Sequence, residues 1–198
     1  SYIKTSGVKR LFYMSGSLMY GHHSEPVELG QSVSPVSFAR EYQIAEWPVM
    51  RASEQLNGKC KVSIIRVPWV LGDGSWFQAF FKQPIENNNY IPQYGDGKNI
   101  MAFIQVNDIA LACQKLLEDI PYKTLYHLSY KNGLTQAEFV KLMQAHTNYP
   151  IKHINLSGYE QAIQEAFQSS IPLRASSEFS FCTADTAEKV REFLKNIL

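Results

Sequence analysis

Apolar and polar positions follow two rhythms along this chain, one short and continuous, one spaced by three and four. Leu11-Phe12-Tyr13-Met14 is a short apolar run closed by Ser15-Gly16-Ser17, which predicts a buried strand. Residues 20–36 carry Gly21, Pro26, Gly30 and Pro35 and read as a long surface loop. A helix is expected over Phe38–Leu56. Pro48 predicts a kink or break near Glu46-Trp47, and Gly58 supplies the stop. Val62-Ser63-Ile64-Ile65 predicts a strand buried on both faces, stopped by Arg66-Val67-Pro68. Trp76–Phe81 fits a helical turn or two. Residues 84–99 read as loop with a short strand at Tyr90-Ile91.

Ala102–Val106 predicts a further strand, with Asn107 or Asp108 capping a helix whose apolar face is Ile109, Ala112, Cys113, Leu116 and Leu117. Thr124–Ser129 alternates as a strand does. Thr135-Gln136-Ala137-Glu138 matches a capping box for a helix reaching about His146. Ile151–Asn155 reads as strand, and Ser157–Phe167 and Asp185–Leu198 as helices. Strands alternating with helices predict a mainly parallel α/β sheet.

Composition narrows the function classes. The 198 residues and 45% apolar content suffice for one packed domain, or one and a half small ones. Basic and acidic residues nearly cancel, 19 against 18, so the basic excess of a nucleic-acid binder is absent. No apolar run nears the ~18 residues of a membrane span. Cys60, Cys113 and Cys182 are scattered and odd in number, which fits a reducing cytoplasm better than a disulfide framework. The chain opens on Ser1, and Lys4, Gly7, Lys9 and Arg10 interrupt any signal peptide. A trimmed chain or a piece of a longer protein is the expectation.

Most candidate chemistry has an ordinary explanation. Adjacent His22 and His23 point apart on an extended chain and lack partners at ligand spacing, so no metal site is expected. Asp108 reads as a helix cap, His127 as a core-edge residue, and Cys113 as a small core residue. Tyr90, Tyr94, Tyr122, Tyr126 and Tyr130 read as packing. Trp69, Trp76, Phe77, Phe80 and Phe81 fit either a pocket wall or a core.

Three stretches together resemble one family. Gly7-Val8-Lys9-Arg10-Leu11-Phe12-Tyr13-Met14-Ser15 with Tyr20-Gly21, then Arg66-Val67-Pro68-Trp69-Val70-Leu71-Gly72, then Gly95-Asp96-Gly97-Lys98 with Phe103–Ala110, occur in the order and spacing of extended short-chain dehydrogenases of the NAD-dependent epimerase/dehydratase group. The last stretch, with Leu134–Glu138, is also similar to NmrA-like atypical members. The resemblance implies the C-terminal half of a Rossmann-like, doubly wound parallel sheet with a small α+β substrate-binding lobe. Residues 1–72 and 102–130 would form the Rossmann-like part, and 73–101 and 131–198 the lobe.

The same resemblance implies NAD or NADP as cofactor, but only with an N-terminal half that carries the glycine-rich pyrophosphate turn. No GxxGxxG occurs in these 198 residues. It places Met14, Ser15, Tyr42, Val67, Pro68 and Val70 against the cofactor, and Ser17, Leu18, Trp69, Trp76 and Phe77 around the substrate. The catalytic positions depart from the family pattern: Gly16 stands at its Ser/Thr, Phe38 at its Tyr and Tyr42 at its Lys. Asn99-Ile100-Met101 stands where a diphosphate-binding Arg often sits.

Three functions therefore stay open. One is an NAD(P)-binding member that is weakly active or a sensor. Another is an active epimerase or reductase on a nucleotide sugar or other small carbonyl, with Tyr42 as an unusual acid. The third is an interaction module that forms a homodimer or packs on an N-terminal fragment.

Overall fold

A computed structural model describes residues 7–55, 59–118 and 121–198. The helix stop expected at Gly58 lies outside the described residues.

The centre is a parallel three-stranded sheet in the order β1 (Arg10–Gly16), β2 (Lys61–Val67), β7 (Leu125–His127). Between β1 and β2 runs α1 (Ala39–Gln55), the crossover that parallel neighbours require. The register aligns Ser15 with Arg66 and Arg66 with His127, so three polar residues form one rung across the sheet. β2 ends at Pro68, which has no N–H to extend the ladder. The chain then continues as β3 (Trp69–Leu71), paired with β6 (Phe103–Gln105) in a separate parallel pair. Two further pairs complete the strands: β4 (Ile91–Tyr94) parallel to β9 (Ile151–Ile154), and β5 (Ile100–Met101) antiparallel to β8 (Leu134–Thr135).

Four sequence expectations change. First, α1 is not broken by Pro48 and is helical throughout. The carbonyl that Pro48 leaves without a donor is that of Ile44, a residue 76% exposed, so water can satisfy it. Second, the aromatic segment after Trp76 is longer than a turn or two. A π-type turn at Gln78–Lys82 leads directly into α2 (Gln83–Asn88), so two of the three asparagines are helical. Pro84 sits at the helix start, where a missing N–H costs nothing, and Asn89 ends it in the left-handed conformation at φ 55°.

Third, Asp108 is not a cap. α3 (Val106–Glu118) starts before it, and its carboxylate accepts a short hydrogen bond from the Tyr130 hydroxyl. Fourth, Ser157–Phe167 divides into a 3-10 turn at Leu156–Gly158 and α5 (Gln161–Gln168).

The two helix starts with the clearest sequence signals are as expected. Thr135 and Glu138 form the reciprocal capping box of α4 (Gln136–Thr147). The Asp185 carboxylate accepts from the amides of Ala187 and Glu188 at the start of α6 (Thr186–Ile197).

One contiguous core joins the strands to these helices. Phe77, Phe81, Phe103, Tyr126, Tyr130 and Phe139 are all fully buried within it. Among the described residues, β1 pairs on one side only, with β2. No described helix is long and apolar enough to cross a membrane.

Candidate functional site

At the carboxyl ends of β1 and β2 lies a cleft of about 450 Å³. Ligands of open α/β sheets bind at such strand ends. β1 and the turn after it supply Met14, Ser15, Gly16, Ser17 and Leu18. The β2–β3 junction supplies Val67, Pro68, Trp69 and Val70. α1 and the loop after β3 add Tyr42 and Trp76. The cofactor-facing set expected from sequence (Met14, Ser15, Tyr42, Val67, Pro68, Val70) is thus brought to one cleft together with Ser17, Leu18, Trp69 and Trp76.

Phe77 and Phe38 lie elsewhere. Phe77 is fully buried in the aromatic core, stacked on Phe81 at 6.0 Å between centroids. Phe38 is 42% exposed just before α1 and is not part of the cleft wall.

Beneath the cleft floor the polar rung is fully connected. The Ser15 hydroxyl donates to Glu46 Oε1 at 2.5 Å. Arg66 holds both oxygens of Glu46, Nε to Oε1 at 3.2 Å and Nη2 to Oε2 at 2.7 Å. Its guanidinium lies 4.6 Å from the centre of the Tyr20 ring. Tyr20 and His127 Nε2 are 2.6 Å apart. The other imidazole nitrogen, Nδ1, is 3.1 Å from the Arg174 carbonyl, which can only accept. Nδ1 therefore carries the proton, and the Tyr20 hydroxyl donates to Nε2. Burial raises the Tyr20 phenol, with Arg66 opposing, so it remains a donor.

Gly21 fixes the exit of Tyr20. At φ 76° and ψ −163° it occupies a region that side chains avoid, and a Cβ there would stand 2.5 Å from the Ser34 carbonyl oxygen.

The network was hidden in the sequence because its members lie far apart along the chain. The local signals were an arginine ending an apolar strand and a glutamate within an amphipathic helix. His127 proves to be fully buried rather than at the core edge. His22 and His23 form loop contacts, the Ser170 amide donating to His22 Nδ1 and His23 Nε2 lying 3.1 Å from the Tyr20 carbonyl.

Burial pushes the His127 imidazole down from 6.5 to about 4. The Arg66 cation acts in the same direction, against the Arg174 carbonyl and Glu28. The folded state thus binds this proton less tightly than the unfolded chain. Stability from this group is fully present above pH 6.5 and is lost as pH falls toward 4. The full loss is expected to be about 3 kcal/mol, from ~1.4 kcal/mol per pH unit. Urea unfolding from pH 7 to pH 4 checks it against His127→Gln, whose profile should be flatter over that range. Parallel profiles would assign the loss to other groups.

At the three positions singled out by the family resemblance the chemistry is sparse. Gly16 has no side chain, and its extended backbone (φ −118°, ψ 156°) faces the Tyr42 ring. The Tyr42 hydroxyl makes no hydrogen bond and no ion pair among the described residues. Arg40 is committed to Glu165 at 2.6 Å, and Arg51 lies over Trp47 at 4.7 Å.

Comparison with known proteins places this geometry in context. The family model described as the NAD dependent epimerase/dehydratase family matches residues 1–127. No curated protein sequence matches the chain. Among solved structures, dTDP-glucose 4,6-dehydratase from Bacillus anthracis in complex with NAD superposes with a TM-score of 0.75 at 15% identity, covering 94% of this chain and 60% of that one. UDP-glucuronic acid 4-epimerase from Bacillus cereus, in complex with UDP-glucuronic acid and NAD, gives 0.75 at 15%, covering 98% and 64%. UDP-N-acetylglucosamine 4-epimerase from Methanobrevibacter ruminantium M1 gives 0.73 at 18%, covering 97% and 64%. The chain therefore spans about three fifths of the length of these structures, and at such identities the likeness shows a Rossmann-like α/β fold.

Proposed function

Because the chain belongs to the NAD-dependent epimerase/dehydratase family, we propose that its cleft receives the nicotinamide end of NAD(P) and that its catalysis is degenerate, leaving a weakly active protein or a sensor. The observation that carries this reading is the pair Phe38 and Tyr42. A phenol needs a neighbouring cation to ionise near neutral pH. Phe38 has no phenol, and no cation is hydrogen-bonded or ion-paired to Tyr42 among the described residues.

The residues present fit one end of the cofactor. Met14, Val67, Pro68 and Val70 offer apolar surface to an uncharged ring, and Tyr42 lines the same cleft. The cofactor, when bound, supplies hydride chemistry. The chain itself orients the ring, excludes water with Trp69 and Trp76, and holds the floor rigid through Ser15, Glu46 and Arg66. We place the Rossmann-like part at residues 1–72 and 102–130, the substrate lobe at 73–101 and 131–198, and the protein in the cytoplasm, where its free thiols would stay reduced.

Calorimetry on the 198-residue chain tests the cofactor reading. NADH and reduced nicotinamide mononucleotide are expected to bind within a few-fold of each other and far more weakly than a low-micromolar dissociation constant, since no glycine-rich turn cradles a pyrophosphate. A low-micromolar value for NADH, or no heat with either ligand at millimolar concentration, would remove it.

A second reading, an interaction module, is favoured by the exposed Ile44, Trp47 and Met50 on α1 and by the one-sided pairing of β1. Such an edge recruits a neighbouring chain. Light scattering decides it: a dimer, or a complex with a separate N-terminal fragment, supports the reading, and a stable monomer ends it.

A further inference from the structure

Residues 21–37 join two elements of the cleft, the turn at Ser17 and Leu18 and the first turn of α1 with Tyr42. One distant stretch ties this loop down along its length. The His23 amide donates to the Ser170 carbonyl and the Val27 amide to that of Pro172, while the Arg174 amide donates back to Val27. Tyr20, Val27, Ile171 and Leu173 form a small buried core, with Leu18 and Val36 packed against it.

The tie is densest where the loop enters α1. Ser37 is left-handed at φ 56°, an uncommon conformation for serine, and is 4% exposed. Both its donors go to α5: the amide to Glu165 Oε2 and the hydroxyl to the Ala162 carbonyl, each at 2.6 Å. Arg40 grips the same carboxylate with two prongs, Nη1 to Oε2 at 2.6 Å and Nη2 to Oε1 at 3.1 Å. Gln161 donates to Oε1 at 2.8 Å. Glu165 thus accepts four hydrogen bonds, three of them from Ser37 and Arg40, and its charge meets the positive end of the α1 dipole. An isolated exposed ion pair contributes little, but a bidentate one joined to a backbone amide fixes geometry.

Two residues on, the Phe167 ring lies 5.2 Å from that of Trp69. α5 therefore reaches the entry of α1 with one side chain and the β2–β3 wall with another. Tyr42 lines the cleft from the first of these and Trp69 from the second, while Glu165 is not part of the cleft wall.

We propose that Glu165 is a positioning residue of the cleft: through Ser37 and Arg40 it holds the first turn of α1, and with it Tyr42, in place relative to Trp69. The cofactor reading above enters only in the choice of probe. A cleft held in this way is formed before its ligand arrives, so binding does not have to order α1. Without the tie the competent arrangement is populated only in part, and affinity falls by that fraction.

Proton NMR reads the position of Tyr42 directly. Its ring is 3.5 Å from where a Gly16 Cβ would stand, so a Gly16 α-proton and the ring give a nuclear Overhauser signal. Val49, farther along α1, packs against the cluster of Cys60 and Val62, and its signal to that cluster is the control. In Glu165→Ala the Gly16–Tyr42 signal is expected to be lost and the Val49 signal kept. Reduced nicotinamide mononucleotide, followed by its shifts of the Met14 methyl, should bind this variant about tenfold more weakly, the size of one charge-assisted hydrogen bond. Arg40→Met, which leaves the Ser37 bonds in place, should show a smaller change in both readouts.

A Gly16–Tyr42 signal that persists in Glu165→Ala would overturn the assignment. So would loss of both signals together, which means general loosening, or equal binding of the mononucleotide by parent and variant. If the mononucleotide moves nothing in the parent protein, the cofactor reading fails, and the two Overhauser signals decide the role of Glu165 by themselves.

Discussion

Replacing Glu46 by Leu is expected to lower the melting temperature by roughly 10 °C, the largest stability loss of any single change at the cleft. Glu46 is 2% exposed and Arg66 6%. Their pair is bidentate, and the Ser15 hydroxyl fills a further acceptor site of the carboxylate. Removing the carboxylate strands a guanidinium inside the protein, a loss of ~3–5 kcal/mol. Each kcal/mol shifts the midpoint of a chain this size by ~2–4 °C.

Removing both charges, as Glu46→Leu with Arg66→Met, should recover most of the loss, because apolar groups of similar volume replace a buried pair at little net cost. A melting point for Glu46→Leu within about 2 °C of the parent would show that water reaches Arg66 and that the rung is not dry.

The second large effect concerns catalysis. Phe38→Tyr with Tyr42→Lys and Gly16→Ser is expected to raise NADH-dependent reduction of a small ketone by about 10²-fold, the lower end of what a positioned acid contributes. Residue 38 immediately precedes α1 and residue 42 lies on its first turn, so a phenol at 38, now outside the cleft wall, has only to swing across four residues to meet a lysine at 42. Room exists for the serine: a Cβ at Gly16 would lie 3.5 Å from the Tyr42 ring, an ordinary contact, and the backbone there is extended. Disappearance of NADH absorbance at saturating ketone measures the rate. If the parent protein already turns over briskly and the triple change slows it, the degenerate reading is wrong and Tyr42 acts as the acid.

Both experiments probe one fact about α1. Glu46 is one turn beyond Tyr42, so the ion pair that pins the helix to β1 and β2 also sets Tyr42 against the cleft.

How far the sequence reached follows from the range of the forces involved. The alternation of apolar runs with helical spacings determined the parallel α/β class, because periods of two and 3.6 are local properties of the backbone. Thr135-Gln136-Ala137-Glu138 determined a helix start, because a capping box closes within four residues. The cleft wall around Met14, Val67 and Trp69 was legible through motif spacing along β1 and the β2–β3 junction.

Tertiary structure decided what depends on distant partners. Phe77 and Trp76 are neighbours of the same chemical kind, and packing against Phe81, Phe139 and Phe193 is what holds the first in the core. Asp108 looks like a cap until Tyr130 reaches it from 22 residues away. The rung from Ser15 through Glu46, Arg66 and Tyr20 to His127 includes one direct link, Tyr20 to His127, between residues 107 positions apart. Strand register aligned Ser15, Arg66 and His127, and α1 and the turn after β1 brought Glu46 and Tyr20 to them, none of which a short stretch of sequence specifies.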